Sequence, residues 1–588
     1  MREVVEHIDL TNKEFQAALH LVEHSNRSLF LTGKAGTGKS TFLRYICSQT
    51  KKKYVVLAPT GIAAINAGGC TLHSFFKLPF HPLLPDDVKY SPRHIKETLK
   101  YNGEKRKIIR ELELIIIDEV SMMRADIIDF IDKVLRVYSR NMKVPFGGKQ
   151  LLLVGDVFQL EPVVREEDRQ LLLPYYKSMY FFGAHVFEEL PLVSIELKTV
   201  YRQSDNHFIQ LLDHIRTNQV SDSDLRMLNS RVGAALSHGN AQLSITLSAR
   251  RDTVDYINEQ RLQSLPGDAV SYHGVITGEF PSSSLPTTEV LDLKPGAQVI
   301  FVKNDKDHRW VNGTLGMIDS MSMTEDGLPF LTIITEDGEE YDVLEERWSN
   351  MRYTFNEKEK KIEEEEIGTF TQFPVRLAWA ITVHKSQGLT FRQVKIDFSG
   401  GVFAGGQTYV ALSRCQSFEG ISLQEPIHRG DIFVKNDVIR FSSQFNDGRL
   451  YHSALSYSQA DIEYREAIAS FDHGDMDLFI QHFFKAIHLR YDLEKPIVQR
   501  YLRRKLNVVN QLKRENERLQ QEMHHREQFL KKLAAEYTLM GKDCEHEHMI
   551  DAAIANYRKA LELYPSAREP KSRLKKLGAP LPLKEKGT

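Results

Sequence analysis

Runs of consecutive apolar residues punctuate the first third of the chain at Leu29 to Leu31, Leu114 to Ile117 and Leu151 to Val154, with a further strand-like run at Val55 to Leu57. A run that is apolar at every position, with no alternation, predicts a strand buried on both faces of a parallel sheet, so the expected fold class is α/β. The pattern changes twice further on. Short alternating runs such as Leu331 to Ile334, with an Asn312-Gly313 turn, predict a small β-unit over about 301–375. Beyond about Asn446 the chain becomes Gly-poor and helical. There Val509, Leu512, Leu519, Met523, Leu530 and Leu533 fit a seven-residue seam of about three heptads, short for a lasting coiled coil, with an antiparallel packed helix as the alternative. Ala553, Tyr557, Ala560 and Pro565, preceded by Gly541, have the small/aromatic/small/proline spacing of a tetratricopeptide helix pair; Phe483 and Ala486 hint at a looser second unit, but their distance from the first does not establish tandem repeats.

The polar residues that interrupt these runs carry the chemistry. Gly33-Lys34-Ala35-Gly36-Thr37-Gly38-Lys39-Ser40 closes the first strand and opens a helix at Thr41. Its glycines let backbone N–H groups converge, the helix dipole adds positive potential, Lys39 would lie along the β and γ phosphates, and Ser40 would give its hydroxyl to Mg²⁺. The expected cofactors are ATP and Mg²⁺. Asp118 and Glu119 emerge at the end of the second apolar run, where Asp118 would complete the Mg²⁺ shell and Glu119 would polarise the attacking water; a helix N-cap role is the other reading of such a pair. Gln159 ends the third run, either as a sensor of the γ-phosphate or as a turn residue.

Composition narrows the class. The 588 residues allow roughly four domain-sized units. Lys plus Arg (77) nearly balance Asp plus Glu (79), so net charge says nothing for or against a polyanionic partner. Cys47, Cys70, Cys415 and Cys544 have no metal-ligand spacing, which argues against zinc and for a reducing compartment. No signal-peptide-like leader or membrane-length apolar run is visible, and the expected location is cytoplasmic, of bacterial type, with the nucleus as the alternative and no membrane partner.

Gln16 in TNKEFQAALHLV, GKAGTGKST, APTGIAAINAGGCTLHSFF (58–76), IIIDEVSM (115–122), LLLVGDVFQLEPV (151–163), ELKTVYRQ (196–203), WVNGTLG (310–316), WAITVHKSQGLTF (379–391) and YVALSRC (409–415) together resemble, in order, the motor motifs of the Pif-type, RecD-like helicases of superfamily one. The stretch from Ser121 to Gly148 is similar to that family's signature, and the resemblance covers about residues 8–445. Glu161 departs from the pattern, standing where proline is expected. The resemblance implies two RecA-like domains, 1–195 with a wedge insertion at about 77–104 and 196–445 with an SH3-like insertion at about 301–375, followed by a helical extension, 446–588. It implies that Gln16 reads the adenine edge, a solvated helix residue being the other reading, that Ala35, Thr37, Thr41 and Gly388 join the glycines and Lys39 around ATP, and that Arg202 and Arg414 act as arginine fingers on the γ-phosphoryl group. Either arginine could instead be an ordinary salt-bridge residue.

The resemblance also sets Thr60, Gly61, His73, Ser74 and Phe75 from the first half, and His384, Lys385, Ser386 and Gln387 from the second, against single-stranded DNA. Lys303, Asn304, Arg309 and Trp310 are weaker candidates, Trp310 more as packing than as a base platform, and the acidic run Glu357 to Glu366 reads as a solvated hairpin tip. The implied activity is an ATP-dependent 5′–3′ helicase or translocase on single-stranded, tailed duplex or G-quadruplex DNA, serving repair, recombination, replication or telomere maintenance. The motor is expected to work as a monomer, with the C-terminal helices free for a protein partner. A RecD-like subunit of a larger complex and a scaffold with a regulatory ATPase are the rival readings.

Overall fold

The computed structural model describes residues 9–79, 81–190, 192–201, 205–236, 243–307, 309–356 and 361–582. They fall into two compact units, Met1–Leu489 and Arg490–Thr588. The first half of the larger unit is a six-stranded sheet of β1 (Leu29–Gly33), β2 (Tyr54–Ala58), β3 (Cys70–Thr71), β4 (Leu114–Ile117), β5 (Gln150–Val154) and β6 (Val193–Leu197), in the order β3-β2-β4-β5-β1-β6. All its pairings are parallel. The uniformly apolar runs are central here because helices cover both faces, and every residue of β1, β4 and β5 is buried. Order β4-β5-β1 brings the C-terminal ends of all three runs to one edge, so Asp118, Gln159 and the glycine loop converge there.

The second half has a smaller parallel sheet, Ala380–Thr382, Ile245–Ser248, Val394–Asp397 and Ile421–Leu423, in that order. The expected β-unit is a five-stranded antiparallel sheet around Trp310, Phe301, Leu331 and Ile333. Strands from outside the 301–375 segment accompany it: Val270–His273 and Val275–Gly278, the one paired with Val290–Leu293 in a separate two-stranded sheet whose Leu291 and Leu293 join the same core, the other paired with Lys361–Gln372. The first two were illegible because their side chains are largely exposed, which leaves no hydrophobic alternation to read. A long hairpin, Glu346–Asn356 with Lys361–Gln372, extends from this β-unit. Its Tyr353 is buried in the core of the first half, where its hydroxyl accepts a hydrogen bond from Val56 N (3.0 Å) and donates to Val56 O (3.3 Å) on β2. Glu357 to Lys360, the tip of the acidic run, lie outside the described residues; Glu365 and Glu366 are exposed on the hairpin strand, where they pair across it with Arg352 and Arg347.

The wedge segment contains the short helical turns Val88–Tyr90 and Ile95–Leu99, whose Tyr90, Ile95 and Leu99 join the core of the first half, and leads into the helix Gly103–Glu111. After the second half, Gly448–His473 does not begin a detached extension at 446. Its Ala454 packs in the core around Phe15 and Leu21, and Ser458 Oγ donates to His24 O at 3.0 Å. The larger unit therefore runs on through Met476–Leu489, the segment with Phe483 and Ala486.

The smaller unit contains Pro496–His546, Ile550–Leu563 and Arg568–Lys576. Tyr557 lies so close to Gly541 that a β-carbon there would stand 2.6 Å from the ring, and its hydroxyl donates to Glu545 at 2.8 Å. This is the close helix contact that the small/aromatic spacing anticipates. Among the described residues no helix is long and apolar enough to cross a membrane.

Candidate nucleotide cleft and strand groove

The glycine loop turns by way of two left-handed residues, Gly36 (φ 78°) and Gly38 (φ 88°), which a side chain would strain. Gly38 is also the N-cap of the helix Lys39–Gln49, so the helix N-terminus opens directly onto the loop. Lys39 Nζ donates to the carbonyls of Gly33 (2.7 Å) and Lys34 (3.0 Å), folded over the loop. Around this loop lies a cavity of about 510 Å³. Its walls include Ala35 to Thr41, Glu119, Gln159, Gly388 and Arg414, so the structure gathers most of the expected nucleotide residues from both halves.

Arg414 comes from the second half and is 2% exposed. Its guanidinium donates to the carbonyls of Val410 (3.0 Å), Ser386 (3.3 Å) and Leu389 (3.3 Å) and to Ser413 Oγ (3.2 Å). These neutral acceptors hold it in place at the cleft wall. Burial raises the Glu119 carboxyl above its ordinary range against the opposing pull of Lys39 and Arg414. Asp118 is raised too, by burial and then by Glu119. Glu119 itself sits at φ 49°, a left-handed conformation uncommon for a residue with a side chain, of the kind that clusters at functional sites. Ser40 and Asp118 offer hydroxyl and carboxylate oxygens, the hard donors Mg²⁺ takes, and Asp118 is a half-buried acid whose charge is disfavoured by desolvation and then by Glu119; the pair fits the ion when phosphates complete its shell.

Gln16, expected at the adenine edge, falls elsewhere. Gln16 is exposed, and its amide donates to Leu10 O at 2.7 Å; Asp9, Asn12 and Phe15 line the cavity instead. Arg202 lies outside the described residues, next to Tyr201, which lines the cavity.

The halves are joined by contacts that motif reading missed. Tyr409 OH accepts from Ala35 N at 3.0 Å, tying the last motif of the second half to the glycine loop. Arg216, 3% exposed, pairs with Asp156 (3.1 Å) and Glu196 (3.0 Å) and lies 4.3 Å over the Phe158 ring. Asp156, between the last apolar strand and Gln159, was the available signal. Gly406 approaches so closely that a β-carbon would stand 2.3 Å from Gln159 O. Glu161 has a role of its own where proline was expected: it pairs with Lys435 at 2.5 Å and accepts from Gly405 N at 3.3 Å.

On the other side of the interface a small cavity of about 70 Å³ lies between Ile62, Ile65 and Asn66 of the first half and Asn312, Arg376, Lys385 and Gln387 of the second. Thr60 caps the helix Gly61–Asn66 by accepting from Ala63 N, and Gly61 abuts Ser284 of the β-unit closely enough that a β-carbon would clash at 2.8 Å. Ser74 is exposed, and burial, then Arg124, lowers the His73 pKa. Burial also lowers those of His384 and Lys385. Ser386 is fully buried, with its hydroxyl on Val383 O. Phe75 is 2% exposed, edge-on to Phe76, with Lys105 Nζ 3.1 Å over its ring; the structure places it in the core, where it offers no open face to a base. Trp310 is core as well, stacked on Phe301 at 4.5 Å, while Lys303 and Arg309 are paired with Glu346 and Asp305 and Asn304 Oδ1 accepts from Asn312 N. Arg376, absent from the sequence reading, lies beside Lys385; its Nε and Gln387 Nε2 are buried with no hydrogen-bond partner among the described residues.

A phosphate loop, a half-buried acid pair and a buried arginine from a facing parallel-sheet domain define the class: a tandem RecA-like nucleoside-triphosphatase motor. The profile of the PIF1-like helicases matches residues 11–226. The rat ATP-dependent DNA helicase PIF1 is 34% identical over 475 residues, 79% of this chain and 68% of its own. Bacteroides Pif1 in complex with ADP-AlF4 is 36% identical, with a TM-score of 0.66 over 74% of this chain and 97% of its own, and Bacteroides Pif1 bound to ssDNA is 38% identical with a TM-score of 0.54 over 74% and 97%. The chain belongs to the PIF1-like helicase family.

Proposed function

We propose that the protein is an ATP-dependent DNA helicase that hydrolyses ATP in the cleft between its two RecA-like halves and uses the closure to move 5′ to 3′ along single-stranded DNA, opening tailed duplex and G-quadruplex structures. The observation that carries this reading is that one cleft contains Lys39 and Glu119 from the first half and Arg414 from the second, with Tyr409 bonded to the loop itself. Closing or opening the halves moves Arg414 relative to Lys39 and so couples turnover to displacement of the strand-facing loops. Mg²⁺ bound by Ser40 and Asp118 would neutralise charge on the β and γ phosphates. Glu119, held near them by its left-handed backbone, orients and polarises water once ionised. Thr60, Gly61, His73, Ser74, His384, Lys385 and Gln387, with Arg376, would hold phosphate and sugar without reading sequence. The location that fits is the cytoplasm.

The test is steady-state ATPase with and without single-stranded DNA, together with unwinding of matched duplexes carrying a 5′ or a 3′ tail. Strong stimulation and opening of the 5′-tailed substrate alone is the expected result. Opening of the 3′-tailed substrate alone overturns the direction, and DNA-independent ATPase without unwinding overturns the motor.

A further inference from the structure

The helix Pro496–His546 is one unbroken run of 51 residues, about 77 Å long at 1.5 Å per residue. Its far end has a partner: Ala534 and Thr538 are buried, and Gly541 meets Tyr557. From 506 to 529, however, every side chain is exposed. That stretch is held as a helix partly by its own ion pairs, such as Arg518 with Glu515 (3.0 Å) and Glu522 (3.5 Å). Yet it shows solvent Val509 (44% exposed), Leu512 (64%), Leu519 (48%) and Met523 (72%). Such a stripe on a lone helix has a missing partner.

The residues themselves say which partner. Val509, Leu512, Asn516, Leu519 and Met523 follow one another at alternating spacings of three and four, the 3.5-residue period that a supercoiled pair maintains and a straight packed helix does not. In that frame Val509, Asn516 and Met523 occupy the first core position and Leu512 and Leu519 the second. A β-branched residue at the first with leucine at the second favours two parallel strands. Asn516 decides the occupant. Against a helix with only apolar core residues it would bury an amide opposite an apolar side chain, whereas in a parallel, in-register pair of identical chains it meets another Asn516, and the two amides satisfy each other. The next core position, Arg526, falls between Glu522 and Glu527, so this layer is internally neutralised in such a pair.

We propose that residues 506–529 pair with the same segment of a second copy of this chain as a parallel two-stranded coiled coil. Each chain contributes a complete nucleotide cleft, so the pairing joins two finished motors and completes neither.

The experiment uses the full chain. Sedimentation equilibrium from nanomolar to tens of micromolar concentrations should show a monomer–dimer equilibrium for the natural protein. The double variant Leu512→Lys, Leu519→Lys should be monomeric throughout, with ATPase per chain unchanged and helix content preserved by circular dichroism. Asn516→Cys, compared with the natural protein under the same mild oxidation, should give a disulfide-linked dimer. A natural protein that stays monomeric at every concentration overturns the proposal, including the case in which another protein's helix occupies the stripe. So does a dimer that survives the double lysine substitution, or an Asn516→Cys variant that dimerises yet never cross-links.

Discussion

The nucleotide cleft and the strand groove lie across the same pair of half-domains, and they differ in how completely their polar groups are satisfied. In the cleft Lys39 rests on two loop carbonyls, Ala35 N is held by Tyr409, and Arg414 is fixed by three carbonyls and a hydroxyl. In the groove Arg376 Nε and Gln387 Nε2 are buried with nothing to donate to among the described residues. A buried donor without a partner costs on the order of 1–3 kcal/mol. The cleft is therefore preorganised for a ligand's charge, whereas the groove carries a local destabilisation that, on the proposed reading, a phosphate-bearing strand would relieve on entry. That asymmetry suits a motor whose fuel site must be geometrically strict while its track must be gripped and released.

The comparison breaks most completely at Lys39. Lys39→Ala should lower ATP hydrolysis by at least about 10²-fold and abolish unwinding, while circular dichroism and the melting temperature stay close to those of the natural protein; a steady-state phosphate-release assay checks it. Arg414→Ala comes next, with turnover expected to fall about 10³-fold or more, as for an arginine finger. Nucleotide affinity, measured by titration with a fluorescent analogue, should barely move. Turnover within about twofold of the natural enzyme would place Arg414 outside the chemistry.

On the groove side, Arg376→Gln should weaken single-stranded DNA binding by about tenfold, the factor corresponding to 1.4 kcal/mol, and leave ATP affinity intact. Fluorescence anisotropy at fixed salt separates the two, and a parallel loss of ATP affinity would erase the distinction drawn between the sites. The smallest effect is expected from ending the chain after Leu489. DNA-stimulated ATPase and short-duplex unwinding by this truncated protein should match those of the full chain, because every cleft and groove residue precedes that point. A cut at 446 is not equivalent, since it removes the helix whose Ala454 and Ser458 pack on the first half.

Much of the nucleotide site was legible because its requirements are local. A turn that needs Gly36 and Gly38, a helix that begins at Lys39 and a carboxylate pair at the end of an all-apolar strand each show within a few residues of sequence. What escaped was what depends on approach from a distance. Arg216 is an ordinary arginine at the end of an amphipathic helix until the second half folds it over Phe158 and Asp156. Phe75 was set against the strand by its place in a motif, but the helix Gly103–Glu111 brings Lys105 onto its ring. The boundary at 446 misled for a related reason: the motifs end there while the packing does not, and the surface that receives Gly448–His473 belongs to the helix Lys13–His24 at the other end of the chain.

Tyr353 carries one more consequence. Val56 turns its N–H away from β4, and that hydrogen is covered by a phenol oxygen from the β-unit of the opposite half rather than by a neighbouring strand. Its exchange with deuterated solvent is then governed by how often the hairpin lifts from the first half, not by fraying of the sheet. The amides of Ile115 and Leu152, deep in the central strands, should keep their protection while that of Val56 alone reports hairpin release. Tyr353→Phe, which removes only the hydroxyl, should speed exchange at Val56 without touching those neighbours.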